Sequence, residues 1–247
     1  LGRLGLQGRI ARPRRPGEVL GRLLPEIAAQ TGLPADTPVT VGIHDSNASL
    51  YPYVLGRKAP FGVVSTGTWV ISMAVGGDAV TLDPRRDLLV NVAANGQPVP
   101  SARFMGGREY EVIRAGSDVR PTDADRAAVL AEGVMILPAV EAGSGPFPGH
   151  AFRWQGVAPT TGARMAALSW YLALMTDTCL QLIGARGPAI IEGPFARNPD
   201  YCAMLAALRP EGVEIAASAT GTSVGAALLV LGQASPPATT KIPRPEG

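Results

Sequence analysis

The 247-residue chain has only two cysteines and two histidines. Cys179 and Cys202 stand in apolar helical patterns without metal-ligand spacing, which excludes a zinc finger and predicts buried free thiols in a reducing compartment. His44 and His150 fall in separate segments with no third ligand at a suitable spacing, so no metal site is expected. An excess of one charge is missing too: 22 Lys and Arg against 20 Asp and Glu give a net charge of +2 and no broad basic face for nucleic acid. The one basic concentration, Arg9, Arg12, Arg14 and Arg15 interleaved with Pro13 and Pro16, reads as a solvated connecting segment. No apolar run reaches the roughly 18–20 residues that cross a bilayer, and no leader pattern precedes the first element. Asn47-Ala48-Ser49 fits a glycosylation acceptor, which carries no weight without a secretory signal. The chain opens on Leu1, not methionine, as expected for a piece of a longer protein.

The common nucleotide and hydrolase signatures are absent as well. There is no G-x-x-x-x-G-K-[ST], and the nearest approach to G-x-G-x-x-G, Gly143-Ser144-Gly145, has Pro148 in the third glycine's place. Gly221-Thr222-Ser223-Val224-Gly225 matches G-x-S-x-G between a strand and a helix. No histidine or aspartate follows Ser223, so a hydrolase triad fails, and the glycines read as a tight strand-to-helix turn.

What is present is a core: 46% of residues are hydrophobic and 17% charged. Residues 17–30 have helical spacing through Val19, Leu20, Leu23, Leu24 and Ile27, with Thr31-Gly32 as the stop. Val39 to Ile43 predicts a short buried strand, with Asp45 where a helix would begin. FGVVST and WVISMAV flank Gly67-Thr68 as one hairpin; LLVNVAA and PVPSARF flank Asn95-Gly96 as a second. Helices follow at 107–116 and 122–131, then a strand at 134–138, a loop rich in Pro and Gly, and a long helix within 161–184. Strand 188–192, helix 198–208, strand 213–217 and helix 222–231 complete an α/β chain with a mixed sheet and flanking helices. The tail, residues 234–247, is rich in Pro and Thr and is expected to be poorly ordered.

Three strand ends carry polar turns, where α/β sheets gather ligands. VGIHDSN (41–47) ends in Asp45, which could cap a helix, share a metal or act as a base. STGTW (65–69) is an ordinary polar turn or a nest of N–H groups for phosphate oxygens. In EGPFARN (192–198), Gly193 lets a flat ligand approach the backbone, and Asn198 can cap a helix or bind that ligand.

In this order, GIHDSNA, FGVVSTGTW, MGGRE, IIEGPFARN and SVGAALL, the chain resembles the C-terminal half of the FGGY carbohydrate kinases from about residue 17 to about 232. The resemblance implies the actin/Hsp70/hexokinase-like (ribonuclease H-like) ATPase fold, ATP and Mg²⁺ as cofactors, a sugar or polyol as substrate, the cytoplasm as location and a homodimer as an assembly. It makes Asp45 the general base and puts Thr66, Gly67 and Thr68 at phosphate, Gly106 near the nucleotide, and Gly193 and Asn198 in the adenosine motif. His44, beside the base, either contacts the sugar or packs locally; His-Asp here resembles the rhamnulose and fuculose kinases. Residues 1–57 would end a sugar-binding domain and 58–233 would form the ATP-binding domain. Pro194 replaces the second glycine of the adenosine motif, and the Asp-x-Gly-Thr motif that holds phosphate and Mg²⁺ in the family's first domain is absent. The chain alone is therefore expected not to turn over.

Overall fold

In the computed structural model, which describes residues 2–217, 221–232 and 237–245, both hairpins form where the turn chemistry puts them. β3 (Phe61–Thr66) pairs antiparallel with β4 (Val70–Val75), and β5 (Leu88–Val92) with β6 (Pro98–Phe104) around Asn95-Gly96. β9 (Ala189–Glu192) and β10 (Val213–Ala216) run parallel to β3, each followed by a helix as a parallel connection requires. With the edge strand β11 (Thr239–Ile242), they make one mixed seven-stranded sheet in the order β11-β10-β9-β3-β4-β6-β5.

Strand alternation sorts the two faces. Phe61, Val63 and Ile190 point toward α2 (Asp45–Gly56), where they pack with its Leu50 and Tyr53. Val64, Ala189 and Ile191 point the other way, into a larger core with Leu168, Leu172 and Leu180 of α5 (Thr161–Leu182) and Tyr201 and Leu205 of α6 (Pro199–Leu208). Each of these leucines is fully buried and contributes about 1.5–3 kcal/mol. α3 (Gly106–Arg114) and α4 (Asp123–Ala131) pack on the outer side of α5. Thr122 caps α4 in a capping box with Asp125, whose carboxylate also accepts from Thr160, the cap of α5. The Thr160 hydroxyl first, and Thr122 after it, hold Asp125 down at about 2.

α2 crosses α7 (Gly221–Leu231) closely. Pro52 has no N–H, so the Ala48 carbonyl lacks its donor within the helix. Gly225 of α7 lies against that carbonyl so tightly that a Cβ would collide with it. At the next residue of α2, the Ser49 hydroxyl is hydrogen-bonded to that of Thr222, one turn back on α7, at 2.8 Å.

Three expectations are corrected. Residues 17–30 are not one helix: β1 (Val19–Arg22) precedes α1 (Pro25–Thr31), because Leu24 is held extended before Pro25 and the apolar run ahead of it pairs with β2 (Pro38–Thr40). β2 is short and largely exposed, not buried, because its sheet has only β1 as a partner. The tail is ordered over Thr239–Ile242: these β-branched residues pair along the open edge of β10, and the Thr239 hydroxyl donates to Glu214 at 2.5 Å. Strand 134–138 forms as β7 (Met135–Leu137) but pairs outside the main sheet with β8 (Arg153–Gln155), which the sequence did not suggest. Residues 218–220 of the expected strand-to-helix turn, and 233–236 and 246–247 of the tail, lie outside the described residues. Cys179 and Cys202 are buried free thiols, as expected.

Candidate active site

At the carboxyl ends of β3 and β9 the chain opens into a cleft of about 1120 Å³. Its floor is the turn between β3 and β4. Gly67 N donates to Trp69 O at 2.9 Å, and Gly107 N at the start of α3 donates to Thr68 O at 3.2 Å. A Cβ on Gly107 would run into the Gly67 carbonyl, so only glycine lets α3 begin against this turn. One wall is α3 and the segment after it, with Arg108, Tyr110, Glu111 and Asp118 to Pro121. The other is the 3-10 helix Pro194–Arg197 with Asn198 and Asp200; Met165 and Ser169 of α5 close the back.

Two hydroxyls near the turn have different surroundings. Thr68 is exposed at the cleft floor. Thr66 is buried: its Oγ1 donates to Glu192 O at 2.5 Å and accepts from Phe195 N at 3.1 Å. It fastens β3 to the turn after β9. Gly193 occupies that turn at φ +84°, and a Cβ there would strike the Thr66 carbonyl. Asn198 caps α6, accepting from Tyr201 N at 3.1 Å while its Nδ2 donates to Ser169 Oγ at 2.9 Å.

The expected residues therefore divide into three groups. Gly67, Thr68 and Asn198 line the cleft. Thr66, Gly193 and Gly106 lie beneath or behind that lining; Gly106 is wedged against Val70 and Phe104, and its neighbour Gly107 faces the cleft. His44 and Asp45 stand apart, at the tip of α2, with side chains 71% and 74% exposed. His44 Nδ1 is 2.8 Å from Asp45 Oδ1 and 2.9 Å from Ser46 Oγ. Asp45 is the first residue of α2, and its Oδ1 accepts from the adjacent Ser46 N at 2.6 Å.

Several cleft residues escaped the sequence reading. Tyr110 and Phe195 meet as a tilted aromatic pair in the cleft lining, ring centroids 5.9 Å apart, and Phe195 is backed by Tyr201 at 5.3 Å. Arg126 pairs with the buried Asp200 at 2.5 Å. Cys202 also lines the cleft, its thiol pushed up to about 11 by burial and so unreactive at neutral pH. Gly107 was legible as the second glycine of MGGRE; no local pattern marks Phe195 or Arg126.

Supports sit behind the lining. Gly145 N donates to Asp87 Oδ2 at 2.8 Å, Met105 N to Ser144 Oγ at 3.3 Å, and Arg86 Nε to Pro146 O at 2.8 Å, so the GSGP loop buttresses the start of α3. Glu109 of α3 is fully buried, accepting from Tyr171 Oη at 2.9 Å and Glu141 N at 3.2 Å. Burial lifts its carboxyl above the ordinary glutamate range. Glu192 is buried between β9 and α2, where it accepts from Tyr53 Oη at 2.8 Å, and burial raises it likewise.

Comparison with known proteins follows the same lines. The family described as carbohydrate kinase FGGY, C-terminal domain, matches residues 58–239. A carbohydrate kinase from Novosphingobium aromaticivorans is 40% identical, with a TM-score of 0.83 over 98% of this chain and 57% of its own. Xylulose kinase from Rhodospirillum rubrum, at 22% identity, superposes with a TM-score of 0.67 over 88% of this chain and 47% of its own. Plasmodium falciparum glycerol kinase with ADP, at 15% identity, gives 0.60 over 86% and 45%. These last two show the fold alone, the actin/hexokinase-like ATPase architecture. The chain spans about half the length of these structures. No curated protein sequence matches it.

Proposed function

The chain belongs to the FGGY carbohydrate kinases, and from that membership we infer that the protein carrying it transfers the γ-phosphoryl group of ATP to a hydroxyl of a sugar or polyol. The observation that carries this reading is the cleft, which joins a glycine turn at a strand end, a helix start pressed against it and an aromatic pair across from it.

A nucleotide fits these residues: the space suffices, and Gly107 leaves the turn free of a side chain that would fill it. When bound, ATP supplies the phosphoryl group. Gly67 would keep the turn open to phosphate oxygens and Thr68 would hold them through its exposed hydroxyl, and the Tyr110–Phe195 pair would give the base an aromatic surface to pack on. Asp45 would accept the proton of the attacking sugar hydroxyl, the task that phosphoryl transfer leaves to a carboxylate. Thr66 and Gly193 shape this site from beneath by locking two strand ends together, and Asn198, in the lining itself, fixes the α6 end of the wall. Among the described residues no three His, Cys, Asp or Glu side chains gather to hold a metal ion; in this reading Mg²⁺ is held chiefly by the family's first domain. Residues 1–57 serve in this reading as the end of a sugar-binding domain, and a ketose of the rhamnulose or fuculose type is the favoured acceptor, with His44 beside it. With ATP as donor, the reading expects a cytoplasmic protein.

The test is phosphorylation by the full-length protein of a panel of ketoses, deoxyketoses and polyols. Asp45→Asn is expected to lower turnover about 10²–10⁴-fold with ATP affinity nearly unchanged. Near-normal turnover by that variant sinks the assignment of the base. A wild-type protein that binds ATP but phosphorylates nothing would favour a non-catalytic nucleotide-binding role.

A further inference from the structure

Glu192 is bonded on both sides of the sheet. Its backbone carbonyl accepts from the Thr66 hydroxyl beneath the phosphate turn, and the next residue is Gly193, which opens the adenosine turn. Its side chain leaves the other face of the sheet and accepts from Tyr53 Oη at 2.8 Å. Tyr53 is fully buried on α2, the helix whose first residue is Asp45.

Asp45, Ser49 and Tyr53 are spaced by four, so they follow one face of α2. At 1.5 Å per residue, Asp45 stands about 12 Å beyond Tyr53 along the axis. Ser49, between them, bonds Thr222 at 2.8 Å. Among the described residues the Asp45 side chain has no such hold: its polar contacts are to its neighbours His44 and Ser46. The register of the tip is thus set from below, where Glu192 is the inward anchor. The far end of α2 is held separately, by Arg57 bonded through both terminal nitrogens to Glu214 at 2.7 Å.

We propose that Tyr53 and Glu192 are a positioning pair that ties the nucleotide turn to the helix carrying the base, so that the placement of Asp45 depends on the Tyr53 hydroxyl. The proposal rests on the kinase reading above. Neither residue touches a reacting atom in it; both act through Asp45. A displacement of about 1 Å at a reacting group suffices for a roughly 10²-fold loss.

The experiment uses the full-length protein with ATP and the best sugar of the panel. Tyr53→Phe is expected to lower kcat about 10–100-fold while the KM for ATP stays within about twofold. In the Asp45→Asn background it should cost nothing further, because no base is left to misplace. Glu192→Gln, whose side-chain carbonyl still accepts from Tyr53, should retain more of kcat than Glu192→Ala. Arg57→Lys weakens the anchor at the opposite end of the helix and should lower the melting temperature without moving kcat. The proposal is overturned if Tyr53→Phe turns over within about twofold of wild type, or if its loss persists in full in the Asp45→Asn background. Should Tyr53→Phe fail to fold, equal kcat values for the two Glu192 variants overturn it instead. A wild-type protein inactive on every sugar would strike the kinase reading itself, an outcome separate from all of these.

Discussion

At the scale of single residues, three buried glutamates pull stability in opposite directions with pH. Burial raises Glu109 and Glu192 above the unfolded value of 4.5. Their contribution is complete below 4.5 and is lost as pH climbs through the raised folded values. Glu214 is the reverse: the Arg57 guanidinium holds it below 4.5, so its contribution is present above that pH and lost as pH falls through the lowered value. The melting temperature should therefore rise as pH drops from neutral toward 4.5 and fall again below it. Glu109→Gln removes one ionisable group from the first branch. Thermal melts of the pair should show a flatter slope for the variant above pH 4.5 and parallel behaviour below; identical slopes would mean that Glu109 ionises in the fold as freely as in water. The same scale shows why the site was only half legible. STGTW announces hydroxyls around a glycine, but the period of two in β3 decides which is inward: Thr66 turns under Phe195, and Thr68, past the strand, stays in the cleft. MGGRE likewise offers two glycines, and only packing tells that Gly106 is wedged behind Gly107.

At the scale of elements, local signals sufficed where they were self-contained. Asn95-Gly96 dictates its own hairpin, and the capped apolar run of α5 dictates its own helix. They failed where a distant partner decides. The apolar spacing of residues 17–30 suits a helix, yet Pro25 divides it and the first part becomes a strand because β2 lies beside it. β11 is the clearest case, since a segment rich in Pro and Thr takes its order from the open edge of β10. A chain ending before Ala238 should expose that edge and leave Glu214 without Thr239. We expect a loss of about 2–4 kcal/mol in denaturant melts, as several ladder bonds at about 0.5–1.5 kcal/mol each disappear. Concentration-dependent association in light scattering should accompany it. Thr239→Ala, which keeps the ladder, should cost less than half as much.

At the scale of the whole molecule, the two faces of the sheet have separate duties. The α5–α6 side builds the cleft, while the α2–α7 side carries Asp45, the proposed base, to a tip outside it. The resemblance named residues on both sides because motif order follows strand order; the distance between them is a property of the fold that no motif encodes. The crossing of α2 and α7 bears on how this molecule comes apart. A helix with Pro52 in its middle has a gap in its own ladder at Ala48, and Gly225 of the neighbouring helix covers that gap. Neither helix can then open to solvent alone without uncovering the other. In native-state hydrogen exchange the amides of Tyr53 to Gly56 and of Gly225 to Leu228 should exchange with one common opening free energy and lose protection together in Gly225→Ala. The base would accordingly ride on a single cooperative unit, present or absent as a whole.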